Sequence, residues 1–150
     1  MSYGVILWGN AADIKSIFVV QKRAIRAICG LSPRESVRSK FKELHILTLA
    51  SQYIYENILY VRKNIDIFKK NSSFHNYSTR NKDKISAPTR RLHKTSNSFQ
   101  GNCIRFFNKI PSEIQALSIN KFKSYIMVGE PTMLNGDLLE RRRDLLGCKA

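Results

Sequence analysis

The sequence is poor in acid. Only 11 Asp and Glu face 26 Lys and Arg, leaving a net charge of +15. That shortage points away from cationic ligands and towards anionic partners, nucleic acid first and acidic membranes second. Cysteine is scarce too. Cys29, Cys103 and Cys148 are far apart and odd in number, which argues against a disulfide framework and fits a reducing, intracellular compartment, cytoplasm or nucleus. His45, His75 and His93 join them in no zinc-like spacing, so no metal or other cofactor is expected. Long apolar runs are lacking: none approaches the roughly 18 residues needed to span a bilayer. Residues 1–10 have no basic n-region and too short an apolar run for a signal peptide. Without secretion the glycosylation sequons at Asn71 and Asn76 mean little. Gly4 and Gly9 have phosphate-loop spacing, but Asn10 stands where Lys is needed.

What is present is helical periodicity. Residues 10–30 read as one amphipathic helix. Ile14, Ile17, Phe18, Ala24, Ile25 and Ile28 recur at spacings of three and four, which gathers them on one face. Lys15, Lys22 and Arg26 fall on a second face, with Arg23 beside them. Asn10 is the expected start cap and Gly30 the expected stop. Taken alone, such a row is most simply a solvated face.

Ser32-Pro33-Arg34-Glu35 carries the signature of a second helix start: Ser as cap, Pro at the first position, Glu three residues after the cap. Val37, Phe41 and Leu44 give this helix an apolar edge; Arg34, Arg38 and Lys42 give it a basic one at i, i+4, i+8. Thr48 is the expected cap of a third helix over residues 49–68. Its stripe is Ala50, Tyr53, Ile54, Ile58, Val61, Ile65 and Phe68, widened by Tyr55 and Tyr60. Such aromatics are more often core than base-stacking platforms.

From Lys69 the composition turns polar and aperiodic, rich in Ser, Asn, Thr, Lys and Arg. The expectation is an extended loop held down by Phe74, Tyr77 and Leu92, or partial disorder. Arg80, Arg90 and Arg91 form a second basic group there. Apolar residues return at Ile104, Phe106, Phe107 and Ile110; Ile110-Pro111-Ser112-Glu113 reads as another helix start, and Phe122 and Tyr125 fall in a further short helix. The fold predicted is therefore mainly α: a small bundle of three main helices followed by a loop-rich region with short helices. Three segments follow: 1–70 (12 basic, 5 acidic), 71–126 (10 basic, 2 acidic) and a divergent tail 127–150 (4 of each).

The order of these pieces resembles a known family. Tyr3-Gly4 and Trp8-Gly9 precede the run Val20-Gln21-Lys22-Arg23-Ala24-Ile25-Arg26-Ala27-Ile28. Then come Leu49, Gln52-Tyr53-Ile54-Tyr55, His75-Asn76-Tyr77-Ser78-Thr79-Arg80, and Phe106-Phe107-Asn108-Lys109-Ile110-Pro111 with Phe122-Lys123 beyond. Over residues 3–126 this series resembles the C-terminal thumb and post-thumb region of LINE-type (non-LTR) retrotransposon reverse transcriptases, in particular the jockey-like elements of arthropods. No single piece is specific; the order and spacing carry the likeness. The resemblance implies helices that hold a template–primer duplex beside a palm, the palm itself being absent. No Tyr is followed two residues on by Asp, so the Tyr-x-Asp-Asp motif is missing. Polymerase chemistry needs paired carboxylates on two metal ions, and Asp13, Asp66, Asp83, Asp137 and Asp144 are scattered. The tail departs from the family, and the apolar residues 3–8 read as the end of an element whose beginning is missing.

The function expected is thus binding without catalysis: a nucleic-acid-binding fragment of an RNA-directed DNA polymerase family. Its partner is RNA, DNA or a hybrid duplex, with the missing polymerase domain as a second partner and no membrane. Lys15, Lys22, Arg23, Arg26, Arg34, Arg38 and Lys42 are the leading phosphate-contacting candidates, and Arg80, Arg90 and Arg91 the second group. The alternative is a helical protein-interaction module whose charge serves solubility. A basic amphipathic helix for membrane or calmodulin-like targets fits residues 10–30 alone. An enzyme ranks last, since no nucleophile–base pair stands out.

Overall fold

The structure, a computed structural model, describes residues 4–11, 13–88 and 98–128. The described residues are mainly α-helical. In chain order the helices are α1 (Val5–Trp8), α2 (Ile14–Cys29), α3 (Arg38–Glu43), α4 (Leu49–Lys63), α5 (Phe99–Phe107), α6 (Ser112–Gln115) and α7 (Ile119–Val128). The only β pairing among the described residues is an isolated antiparallel bridge between Lys70 and Ile85. Three principal helices followed by a loop-rich region with short helices is the architecture the periodicity predicts. Among the described residues no helix is long and apolar enough to cross a membrane. The fold divides within α4 into two compact units: described residues up to Tyr53 belong to one, and those from Ile54 to the other.

In the first unit α2 begins at Ile14, not at Asn10. Val5–Trp8 closes as a helical turn of its own, and Gly9 then sits against the Tyr53 ring so closely that a Cβ there would collide with it. Residues 9–11 and Asp13 are consequently spent on turns and bends, with Ala11 N–H donating to the Trp8 carbonyl at 2.8 Å. Gly30 ends α2 as expected, in the left-handed region at φ 62°. Ile14 and Ile25 are buried, but Ala24 and Ile28 are exposed, against expectation. Here the buried face is narrower than the apolar one. Val5 is buried as well, so the apolar N-terminal segment is not simply bare surface.

The second helix also starts late. Glu35 does reach back, its carboxylate accepting from Ser32 N–H at 2.8 Å, yet this half of a capping box closes one turn only. Val37 then buries against Ile25 and Phe41, and α3 begins behind it at Arg38. Arg34 therefore lies in the turn, off the helical row; only Arg38 and Lys42 stand at i, i+4 on α3. Leu44, expected on the buried edge, is 38% exposed.

Helix α4 ends at Lys63, five residues short of the expectation. The Asn64 side chain donates to the Tyr60 carbonyl at 2.8 Å and its backbone N–H to the same carbonyl at 3.1 Å. Such a side-chain bond to the backbone favours turns over continued helix, and a 3₁₀ turn over Ile65–Ile67 follows. At its start Thr48 acts as the cap, Oγ1 accepting from Ser51 N–H at 3.4 Å.

In the second unit Ile54, Ile58, Leu59 and Val61 of α4 are buried. So are Asn102, Cys103, Ile104, Phe106 and Phe107, which cover most of the circumference of α5 and make it a central element. Phe107 meets the buried Phe122 of α7 at 6.4 Å between ring centres. Gln115 of α6 closes the end of α5, its amide donating to the carbonyls of Phe107 and Ile110 at 3.1 and 2.7 Å.

Candidate nucleic-acid interface

The packing of α2 on α3 sets the first group of cations. Ile25, Val37 and Phe41 form a buried cluster, with Phe18, Cys29 and Leu31 packed round it. The Phe18 and Phe41 rings stack at 6.2 Å between centres and 27° between planes. Burying side chains of this size stabilises by about 1.5–3 kcal/mol each, so this junction is a firm support for what projects from it.

Two cations are held at that junction. The Lys22 ammonium lies 4.7 Å from the centre of the Phe18 ring, a cation–π contact that orients the charge without neutralising it. Arg26 donates from Nε to the Glu35 backbone carbonyl at 3.1 Å. The Arg26 side of α2 is thereby tied to the turn leading into α3. Arg38 and Lys42 project from α3 and are exposed, as are Lys15 and Arg23 on α2 and Arg34 in the turn. None of these seven makes an ion pair among the described residues. Lys40 differs. It pairs with Glu43 at 2.7 Å, and that hydrogen bond and charge raise the pKa of its ammonium.

The structure thus places Lys22, Arg26 and Arg34 on elements that touch, with Arg38 and Lys42 on the helix that follows. Lys15, on the first turn of α2, lies about 10 Å along the helix from Lys22 at 1.5 Å per residue. Arg23 points round the helix from that row. Arg80 is exposed in the loop of the second unit. Arg90 and Arg91 lie outside the described residues, as do Leu92 and most of the tail.

Phe74 and Tyr77 do not hold their loop down; they are 64% and 78% exposed. The loop is anchored by Ile85, which is buried, and by Asn108. The Asn108 amide accepts from Ile85 N–H at 3.0 Å and donates to Ile85 carbonyl at 2.9 Å, imitating a strand neighbour. Below this anchor a cleft of about 330 Å³ is lined by Lys84, Arg105 and Lys109 together with Gly101, Ile104 and Pro88. Sequence reasoning did not single out that cluster, because the three cations come from separate stretches.

It also missed two structural polar groups. Gln21 donates to the Leu47 carbonyl and accepts from Leu49 N–H, both at 3.0 Å, clamping α2 to the first turn of α4. Arg62 donates to the Leu117 carbonyl at 2.8 Å, which makes it part of the packing of the second unit.

These features define a small, strongly basic, mainly helical protein with cations displayed on rigid elements. No family model, curated protein or solved structure matches the chain.

Proposed function

We propose that this chain is a nucleic-acid-binding, non-catalytic segment of a non-LTR retrotransposon reverse transcriptase, equivalent to its thumb and the region after it. The observation that carries the reading is the α2–α3 junction. Lys22 is seated over Phe18 and Arg26 is bound to the Glu35 carbonyl, while Arg38 and Lys42 stand one turn apart on the next helix. Cations fixed on packed helices suit phosphate tracking, which needs positive charge at set positions and no base readout. The net charge of +15 supports the same partner class.

The test is the salt dependence of duplex binding by the full chain. Affinity falls with salt at a log–log slope of about −0.9 per phosphate neutralised on B-form DNA. Replacing Lys22 and Arg26 by Gln reduces the slope by about one to two units and weakens all sequences alike. Replacing Arg141 and Arg142 in the tail, outside the described residues, removes equal charge and has little effect. Equal effects from both pairs would mean diffuse attraction and defeat the reading. The same proposal predicts no primer extension by the purified chain with Mg²⁺ or Mn²⁺, and measurable incorporation would contradict it.

A second reading, a protein-interaction module, is favoured by one specific feature. Val20, Ala24 and Ile28 of α2 are exposed at i, i+4, i+8, on a different side from Lys22 and Arg26, with Ile28 70% exposed. An apolar strip of this kind is a surface for another protein. Under this reading Val20→Ser with Ile28→Ser abolishes a co-purifying partner, and duplex binding shows no localised salt slope.

A further inference from the structure

The loop between Lys69 and Ser86 is built like a display. Its two arms are zipped together at the base: Ser86 N–H donates to the Lys69 carbonyl at 2.8 Å and Asn71 N–H to the Lys84 carbonyl at 2.9 Å. Further out Ser72 N–H donates to the Lys82 carbonyl at 3.0 Å, and the Asn71 side chain to the Asn81 carbonyl at 2.9 Å. The Lys70–Ile85 bridge joins the two arms, and the Asn108 clamp holds their base to the C-terminal end of α5. At the outer end Phe74 and Tyr77 are exposed, and the Tyr77 ring lies 6.3 Å from that of His75. Two large rings exposed to water on a tethered loop call for an explanation.

Their surroundings supply one. Residues 69–86 carry Lys69, Lys70, Arg80, Lys82 and Lys84 against a single acid, Asp83. Exposed rings flanked by cations are what unpaired bases and their phosphates require: each base has a face to stack, each phosphate a charge to meet. A duplex hides those faces. We propose that the 69–86 loop is a single-strand binding site, with Phe74 and Tyr77 stacking on unpaired bases and the flanking cations meeting the phosphates. The inference rests on the nucleic-acid reading above and adds to it a second site that prefers unpaired strands. Because the loop is pinned before binding, little conformational freedom is lost on contact.

The experiment uses the full chain and a fluorescent oligothymidylate of about 15 nucleotides, near the upper site size of single-strand binders. Phe74→Ala and Tyr77→Ala each weaken binding about tenfold, while the salt slope stays unchanged, because a ring contributes no charge. Tyr77→Phe retains wild-type affinity. On an abasic strand of equal length the wild-type protein falls to the level of the Phe74→Ala, Tyr77→Ala double variant, and the double variant loses nothing more. Far-UV circular dichroism stays constant, since the rings are exposed. Unchanged affinity in both Ala variants overturns the proposal, as does an equal loss on the abasic strand. Loss of a co-purifying protein in the Ala variants, with strand binding intact, assigns the rings to a protein surface and likewise overturns it. The two readings fail separately. Ring variants that bind like wild type leave the Lys22 and Arg26 slope standing. An unaltered slope in the Lys22 and Arg26 variant leaves the ring effect standing.

Discussion

His45 has φ 51°, the one positive value at a non-glycine among the described residues. It is exposed and ends the turn after α3, where its N–H donates to the Lys42 carbonyl at 3.1 Å. The left-handed region costs an ordinary residue about 1 kcal/mol. His45→Gly is therefore expected to raise the unfolding free energy by up to about 1 kcal/mol, partly offset by the extra freedom glycine gives the unfolded chain. Urea unfolding measures it, and a clear loss of stability would refute the strain argument. Gly9 runs the other way. A methyl group there meets the Tyr53 ring and the Val5 carbonyl, so Gly9→Ala forces a shift and destabilises by about 1–3 kcal/mol. Cys103 is buried, and that burial pushes its thiol up to about 11 from an ordinary value of 9.0. The unfolded chain then releases this proton first. The Cys103 contribution to stability is whole below pH 9 and is lost as pH rises towards 11. Other groups titrate there too, so the measurement is the difference between wild type and Cys103→Ala. A difference that does not change between pH 8 and pH 11 would sink it.

At the level of elements, what the chain discloses in advance depends on how local the cause is. Gly30 ends α2 because a left-handed stop needs only its own backbone, so it was legible. The start of α2 was not, since Gly9 against Tyr53 is a contact across 44 residues. The capping signature at residues 32–35 discloses the chemistry but not the extent of the helix. Its hydrogen bond forms, but burial of Val37 decides where α3 begins. The basic row lost Arg34 for the same reason. Asn64 hid the end of α4, because a single amide outweighed five more residues of good periodicity. Asn108 was invisible as an anchor, since its partner Ile85 is 23 residues away. This last gives a prediction. Asn108→Ala leaves the Ile85 N–H and carbonyl without the clamp, at a cost of about 1–3 kcal/mol. Hydrogen exchange at Ile85 speeds up and Tyr77 becomes more mobile, while α2 exchange is unaffected. The bridge to Lys70 runs through Asn71 and Ser86 N–H and leaves Ile85 N–H to Asn108, so unchanged protection at Ile85 would refute the clamp.

Across the whole molecule, charge acts on folding and on binding with opposite signs. A net +15 on 150 residues repels itself in the compact state. The acids are too few to offset it: Lys40–Glu43 is one exposed pair, and solvent screening leaves such a pair little weight. Screening at physiological ionic strength has a length of about 8 Å, comparable with the spacing along α2 between Lys15 and Lys22. Raising NaCl from about 20 to about 200 mM should therefore stabilise the free protein, with the thermal midpoint moving up. Sulfate should do so further at equal ionic strength, because it also favours burial of apolar surface. Duplex affinity should fall over the same range, because each phosphate contact then releases its counterions against a higher salt concentration. The neutral osmolyte sucrose separates the causes: it raises the midpoint without moving the affinity slope. Stability that falls with salt would mean that the cations are paired within the fold. Lys15, Lys22, Arg26, Arg34, Arg38 and Lys42 would then not be at the disposal of a phosphate backbone.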